Sequence, residues 1–304
     1  MAINLASKAS SKVVERFKIG SMTEGLFSNK YDWTGVATVR VYSVDTLPLQ
    51  NYDKSETNGS RFGPLTEVGD TIQEMTVSDD KSFNGSIDKG NNTQQLMIKS
   101  ASSVLRRQTD EVLIPYVDAY RLNKLAEGAG TKVYNTSLTK SNVIETLMTA
   151  GAAMSNDKVP RKGRVLYIGE TEAIKIKLAD KILGVDKLAE KSIVNGVQGT
   201  IDQMQVRIVP DSYMPTGVTF LIVLKGVAVA PQKIETYRIL EEHPDVDGHV
   251  VQGRFMHDCF VLATRNKGIY AAYSGDAEDD DDTTEGGDDT TEGGGDSEGS
   301  EGSE

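Results

Sequence analysis

The sequence predicts an α+β fold followed by a separate acidic tail. Three observations carry this. A long helical pattern runs over 93–126 with a proline inside it. The C-terminal half holds many short strand-type runs without a regular βαβ alternation, which argues against a doubly wound sheet. After residue 275 the composition changes to acidic and glycine-rich.

Residues 1–33 are mostly polar, with a short helical pattern near 13–17, and read as an arm rather than a core segment. The stretch 36–44 alternates and is rich in valine, as a strand should be. A second strand is expected over 72–77. Between them lie 27 polar, turn-rich residues, including Asn58-Gly59 and Gly63-Pro64. A structureless loop of that length is unusual inside a compact domain. With few apolar residues of its own, it is either disordered or leaves the body to lie on a neighbour.

Met97, Ala101, Val104 and Leu105, then Leu113, Val117, Tyr120, Leu122, Leu125 and Ala126, fall at helical spacing. Arg106 and Arg107 precede Asp110 and Glu111 by four residues, which predicts ion pairs along the polar face. Pro115 lacks a backbone donor and clashes with the carbonyl of Glu111, so a bend or break is expected there. With caps at Asn92 and Gly128 the helix would be roughly 50 Å long at about 1.5 Å per residue. Asn142 predicts a helix start running to about Met154, with Glu145 at the reciprocal capping-box position. A buried-type strand is expected over 164–168, and a helix over 170–179 with acidic residues in its first turn. The runs 200–209, 218–224, 227–230, 233–240, 249–255 and 259–263 read as strands.

The tail holds DDTTEGG twice in tandem, at 281–287 and 288–294. It has no aromatic residue and too little apolar surface to offset its ordering entropy, so it is expected to be disordered. Residues 276–304 carry 14 acidic residues and no basic one. The net charge of −12 is therefore the tail's. The rest of the chain is a formal +2, which is not the footprint of a dedicated nucleic-acid binder. One cysteine, Cys259, excludes an intrachain disulfide and suits a reducing cytoplasm. Lys8, Lys12, Arg16 and Lys18 interrupt every apolar run at the N-terminus, unlike a secretory signal. No apolar run approaches membrane-spanning length; the longest, 218–224, is strand-sized.

Candidate chemistry is sparse, and no catalytic, cofactor or metal residue is assigned. His243, His249, His257 and Cys259 are metal-ligand types, but their spacing matches no standard zinc arrangement. EGAGTK at 127–132 places its lysine after the threonine and leaves a helix instead of opening one, so it reads as a helix-stop turn and not a phosphate loop. Gly196 and Gly199 fit a turn before a strand. Gly59-Ser60-Arg61 and Gly85-Ser86-Ile87 make no nucleophile elbow. The tail has no EF-hand pattern. Lys54, Lys81 and Lys89 are loop-type lysines, but nothing in the sequence singles them out for crosslinking, and a non-covalent assembly is expected.

The run EVLIPYVDAYRLNKLA at 111–126 resembles the start of the spine helix in major capsid proteins of tailed bacteriophages. The resemblance continues in order. NKYDWTGV at 29–36 is similar to the family's N-terminal segment, and Arg61-Phe62-Gly63 and Ser82-Phe83-Asn84 with Ile87-Asp88-Lys89 to its approach to the spine. VPRKGRVLY at 159–167, GVQGTIDQMQVRIVP at 196–210, and the closing stretches 225–231 and 255–262 complete it. It spans roughly residues 15–273 and rests on order and spacing. Gln203 departs from the family, which usually has glycine there, so the turn is expected to differ.

The resemblance implies a phage major capsid fold with an N-terminal arm (1–33) and an extended loop region (34–92) that reaches across an adjacent subunit. It implies a peripheral domain with the spine helix (93–140 and 233–258), an axial domain (141–232 and 259–274) and the acidic tail (275–304). No long scaffolding segment is expected ahead of the capsid domain. The implied role is structural, not enzymatic. Identical chains would form hexamers and pentamers of an icosahedral virion shell around double-stranded DNA, assembled in the host cytoplasm without a membrane. Scaffolding protein, portal and maturation protease are the implied partners. An encapsulin-like compartment shell is the alternative within the fold. A small-ligand or nucleic-acid binding module with an acidic tail is the alternative outside it.

Overall fold

The computed structural model describes residues 21–28, 31, 33, 38–52, 54, 60–90, 100–179, 199–241, 244 and 247–276. In chain order its elements begin with β1 (Thr38–Val44), β2 (Asp70–Thr76) and β3 (Asp79–Asp88). Helix α1 (Ala101–Gln108), a π turn (Thr109–Leu113) and helix α2 (Ile114–Glu127) follow without a break. Next come β4 (Thr131–Val133), α3 (Val143–Asn156), β5 (Arg164–Gly169) and α4 (Glu170–Lys177). The remaining strands are β6 (Thr200–Ile201), β7 (Met204–Val209), β8 (Val218–Leu224), β9 (Ala228–Val229), β10 (Gln232–Leu240), β11 (Gly248–His257), β12 (Phe260–Val261) and β13 (Ile269–Tyr273).

The centre is a six-stranded mixed sheet of order β4-β13-β8-β5-β7-β6. Its β4–β13 and β5–β7 pairs are parallel and the others antiparallel. Side chains alternate between two cores, as the period of two requires. Leu166, Ile168, Phe220, Ile222, Tyr270 and Ala272 face one core, shared with Leu147 and Met154 of α3 and Ile176 of α4. Val165, Tyr167, Leu221, Val223, Ile269 and Ala271 face the other, shared with Leu122 and Leu125 of α2. A sheet covered on both faces needs no polar side, which is why 218–224 is apolar but for Thr219, whose hydroxyl donates to the Thr136 carbonyl at 3.1 Å. A second sheet, β10-β11-β3, and the β1–β2 hairpin stand beside this body.

Several sequence expectations change in detail. The helix does not break at Pro115. A single π turn precedes it, with the Ile114 N–H bonded to the Thr109 carbonyl. Widening the turn there takes the strain of the proline ring against the preceding carbonyls and uses up the missing donor. The described helical run, 101–127, is about 40 Å long at about 1.5 Å per residue. It starts at a Ser100 cap and stops at Gly128; Asn92 lies outside the described residues. Arg106–Asp110 and Arg107–Glu111 pair at 3.7 and 3.5 Å.

Asn142 does not cap α3 forward. Its Oδ1 accepts from the Thr139 N–H at 2.7 Å, so it closes the preceding turn instead. The expected strand over 200–209 is two strands, split by Asp202 and Gln203 at φ 47° and 65°. That left-handed pair is the two-residue hairpin turn where glycine is favoured, and Gln203 adopts it regardless. The polar strand β3 pairs with β11 over ten residue pairs although it lacks apolar alternation. The short β13 lies inside the main sheet, between edge strand β4 and β8. Neither was expected from the sequence.

Candidate assembly surface

The hairpin β1–β2 has a fixed base and an exposed end. At its base Met75 and Val77 pack with Trp33, Val229 and Leu262, and Trp33 stacks on Phe260 with centroids 5.7 Å apart. Gln73 clips the hairpin to the body from both ends of its amide. Its Nε2 donates to the Val261 carbonyl at 2.8 Å, and its Oε1 accepts from the Ala263 N–H at 2.9 Å. Beyond this base the loop 45–69 carries Leu47, Leu49, Tyr52, Phe62, Leu65 and Val68 in the open, with Phe62 81 % exposed and Leu49 and Leu65 fully so. Tyr52 and Phe62 meet edge to face at 5.2 Å, and their neighbours Leu47, Leu49 and Pro64 line a shallow groove of about 200 Å³. The loop is thus richer in apolar side chains than the sequence reading credited. Left in water they are unfavourable, and a contiguous exposed apolar patch marks a contact surface.

Part of the expected arm belongs to the body. Residues 21–28 form a strap across α2. Buried Asp118 accepts from the Ser21 hydroxyl at 2.9 Å, the Met22 N–H at 2.7 Å and the Thr23 hydroxyl at 2.6 Å. Arg121, one turn on, donates to Thr23 Oγ1 at 3.2 Å and lies over the Phe27 ring. Arg207 and the Tyr167 hydroxyl both donate to the Met22 carbonyl. Leu26 is fully buried in the α2-side core. Burial pushes the Tyr167 hydroxyl up to about 12, so it remains a donor at any working pH.

On the opposite face of α2 a polar cluster joins the helix to the ends of β3 and β11. Tyr120 donates to Asp258 at 2.9 Å, and the Ser78 hydroxyl and N–H donate to the same carboxylate at 3.0 Å each. His257 is fully buried among Tyr116, Tyr120 and Phe255. Its Nε2 lies 2.8 Å from an Asp79 oxygen, out of line for a hydrogen bond. Desolvation holds its pKa below the ordinary 6.5, against the pull of Asp79.

The histidines do not gather. His249 and His257 are eight residues apart along β11, roughly 26 Å on a strand, and His249 is exposed. His243 lies outside the described residues, as do Gly196 and the residues after 276. Cys259 is buried, and desolvation raises its thiol to about 12. Among the described residues no three His, Cys, Asp or Glu side chains form a metal-holding group, and no helix is long and apolar enough to cross a membrane. Residues 127–132 form the helix stop at Gly128 followed by β4. Gly130 passes so close to the Asn266–Lys267 backbone that a Cβ would lie 2.6 Å from it.

No protein-family model and no curated protein matches this sequence. Solved structures do. One from Mycobacterium phage Che8 is similar at a TM-score of 0.72 and 15 % identity, over 90 % of this chain and 98 % of that one. The capsid structure of the cyanophage P-SCSP1u is similar at 0.72 and 15 % identity, over 88 % and 92 %. The asymmetric unit of the bacteriophage PhiM1 mature capsid is similar at 0.68 and 9 % identity, over 89 % and 92 %. The chain therefore has the fold of phage capsid structures along nearly its whole described length.

Proposed function

We propose that this chain is the major capsid protein of a tailed bacteriophage, self-assembling into the icosahedral head shell that encloses double-stranded DNA. The observation that carries the reading is the clipped hairpin with its apolar loop in solvent, set on a body with a phage capsid fold. A free subunit gains nothing from such a loop, whereas a neighbour's surface would bury it. Contacts of the obligate class bury about 2,000 Å² or more. Its role is structural, with no catalytic step.

In this reading residues 93–140 and 233–258 form the peripheral domain, and 141–232 with 259–274 the axial domain. The C-terminal half of α2 and β4 stiffen the junction between them. Hexamers and pentamers of the one chain build the shell in the host cytoplasm, aided by a scaffolding protein, a portal and a maturation protease, and the product resides in the virion. Light-scattering mass after size exclusion, with negative-stain imaging, tests this on the protein alone and with its scaffolding partner. Closed shells or capsomer-sized rings are expected. A monodisperse monomer under both conditions overturns the proposal.

A further inference from the structure

The six-stranded sheet has ends of opposite charge. At one end three loops are tied together. The Lys225 N–H bonds to the Gly163 carbonyl at 3.0 Å, Arg265 donates to the Gly226 carbonyl at 3.2 Å, and Lys267 pairs with Asp157 at 3.2 Å. Buried Arg164 fixes the first of these loops, donating to the carbonyls of Gly151, Val159 and Pro160 at 2.7, 2.8 and 3.0 Å. The edge so built presents Lys158, Arg161, Lys162, Lys225, Arg265 and Lys267, all exposed. Among the described residues only Asp157 and Asp202, which pairs with Arg161 at 3.7 Å, oppose them there, leaving a surplus of four positive charges. Lys124 and Glu127 beside the edge cancel one another.

The opposite end is where the chain leaves the fold. Ser274 bonds to the Gly217 carbonyl at 2.8 Å, and Asn135 holds both the Gly275 carbonyl and the Asp276 carboxylate. Exposed Glu170 and Asp211 lie at the same end, after β5 and β7. Two residues on, the sequence runs Glu278, Asp279, Asp280, Asp281, Asp282. Strand β8 separates the two ends by about 22 Å. Six residues beyond Asp276 the chain has covered at most about 21 Å. A fully extended chain from Asp276 would therefore bring only the last residue of the run, Asp282, as far as the basic edge of its own subunit.

We infer that the basic edge formed by the 157–163, 225–226 and 264–267 loops is the docking site for the 278–282 acidic run of a second copy of this chain. This rests on the self-assembly reading above. The contact is head to tail, so repetition closes a ring when the rotation allows it. Its charges are exposed, individually weak and screened by salt, so it selects register and orientation more than it supplies affinity.

The test is zero-length carbodiimide crosslinking of assembled particles grown from a mixture of ¹⁵N-labelled and unlabelled chains, read by mass spectrometry. Amide links between Lys162 or Lys225 and the 278–282 run, half of them joining chains of different label, are expected. They should disappear in K162E/K225E particles and drop at least fivefold when crosslinking is done at about 0.5 M salt, where the screening length falls to a few ångströms. Links within single-label pairs only mean the tail folds back, and particles without such links mean the edge serves another polyanion such as DNA. Either result overturns the inference while leaving assembly intact. Failure of wild-type chains to assemble strikes the self-assembly reading instead. If K162E/K225E fails to fold, Asp279, Asp280, Asp281 and Asp282 changed together to Asn remove the same links from the other side.

Discussion

At the scale of single residues, two buried groups govern the subunit's stability. Asp118 satisfies three donors of the strap and offsets the Arg121 charge next to it. Asp118→Ala leaves those donors without their acceptor and a buried cation without a nearby countercharge, and should cost about 3 kcal/mol. Urea unfolding of the unassembled subunit measures the loss, and hydrogen exchange should show residues 21–28 opening first. Retained protection would mean that Leu26 alone holds the strap. His257 gives a pH signature. Its folded pKa lies below 6.5, so the imidazole is neutral in the fold while the unfolded chain protonates near pH 6.5. Between those two values the unfolded state binds more protons, so stability falls as pH falls through that window and levels off beneath it. His257→Phe should remove this slope; an unchanged slope in a pH series of melting curves would assign it to another group.

Legibility in the sequence also divides at this scale. Long-range partners of polar residues left no local pattern: Asp118, Arg121, Gln73, Arg164 and Arg207 read as ordinary helix, strand and loop polars. Their partners lie up to 190 positions away. The one available signal was charge inside an apolar face, since Asp118 and Arg121 flank Val117, Tyr120 and Leu122. Spacing within one element, by contrast, was readable. The Arg106–Asp110 and Arg107–Glu111 pairs and the Gly128 stop stand where periodicity put them.

Among elements, strands buried on both faces were found because they form nearly continuous apolar runs, as in β5 and β8. Polar β3 was missed because its partner strand, not its own pattern, holds it. Pro115 illustrates an intermediate case. A bend or break was expected, and the helix spends one extra residue in a π turn. Pro115→Ala restores a donor and removes the ring, so the turn should close to regular helix. The part before it would then rotate by about 100° relative to α2, since each residue advances the helix by that angle. A structure of the variant subunit decides this; a persistent π turn would place its cause in packing. The hairpin loop makes a second expectation. Deleting residues 53–63 should leave a folded subunit, because the base held by Gln73, Met75 and Val77 is untouched. Shells made from it should dissociate at markedly lower denaturant. Loss of monomer folding, seen by circular dichroism, would make the loop part of the core.

For the whole molecule, the near-neutral body and strongly acidic tail divide the chain into two electrostatic materials. In the proposed capsid fourteen carboxylates would repel packaged DNA, so the tail is expected on its outer face. Protease added to intact, DNA-filled particles should remove residues after about 275 and leave the particles whole. Tails that survive in filled particles but are cut after disruption would place them inside. The overall architecture was legible because order and spacing survive where individual motifs do not. The charge polarity of the central sheet was not, since its cations come from three loops separated by up to about a hundred residues and meet only when the sheet forms.

Gln73 has one more consequence, a mechanical one. Its amide pins the hairpin to β12, and Val261 of β12 presses on Gly128, where an added Cβ would meet it at 2.6 Å. The hairpin is thus a lever with its fulcrum a few ångströms from the end of the long helix. A tug on the loop tip would pass through this pivot to that helix. Subunits whose loops rest on one another would therefore feel each other's tilt, and a local dent would spread its strain over many copies instead of tearing a single contact.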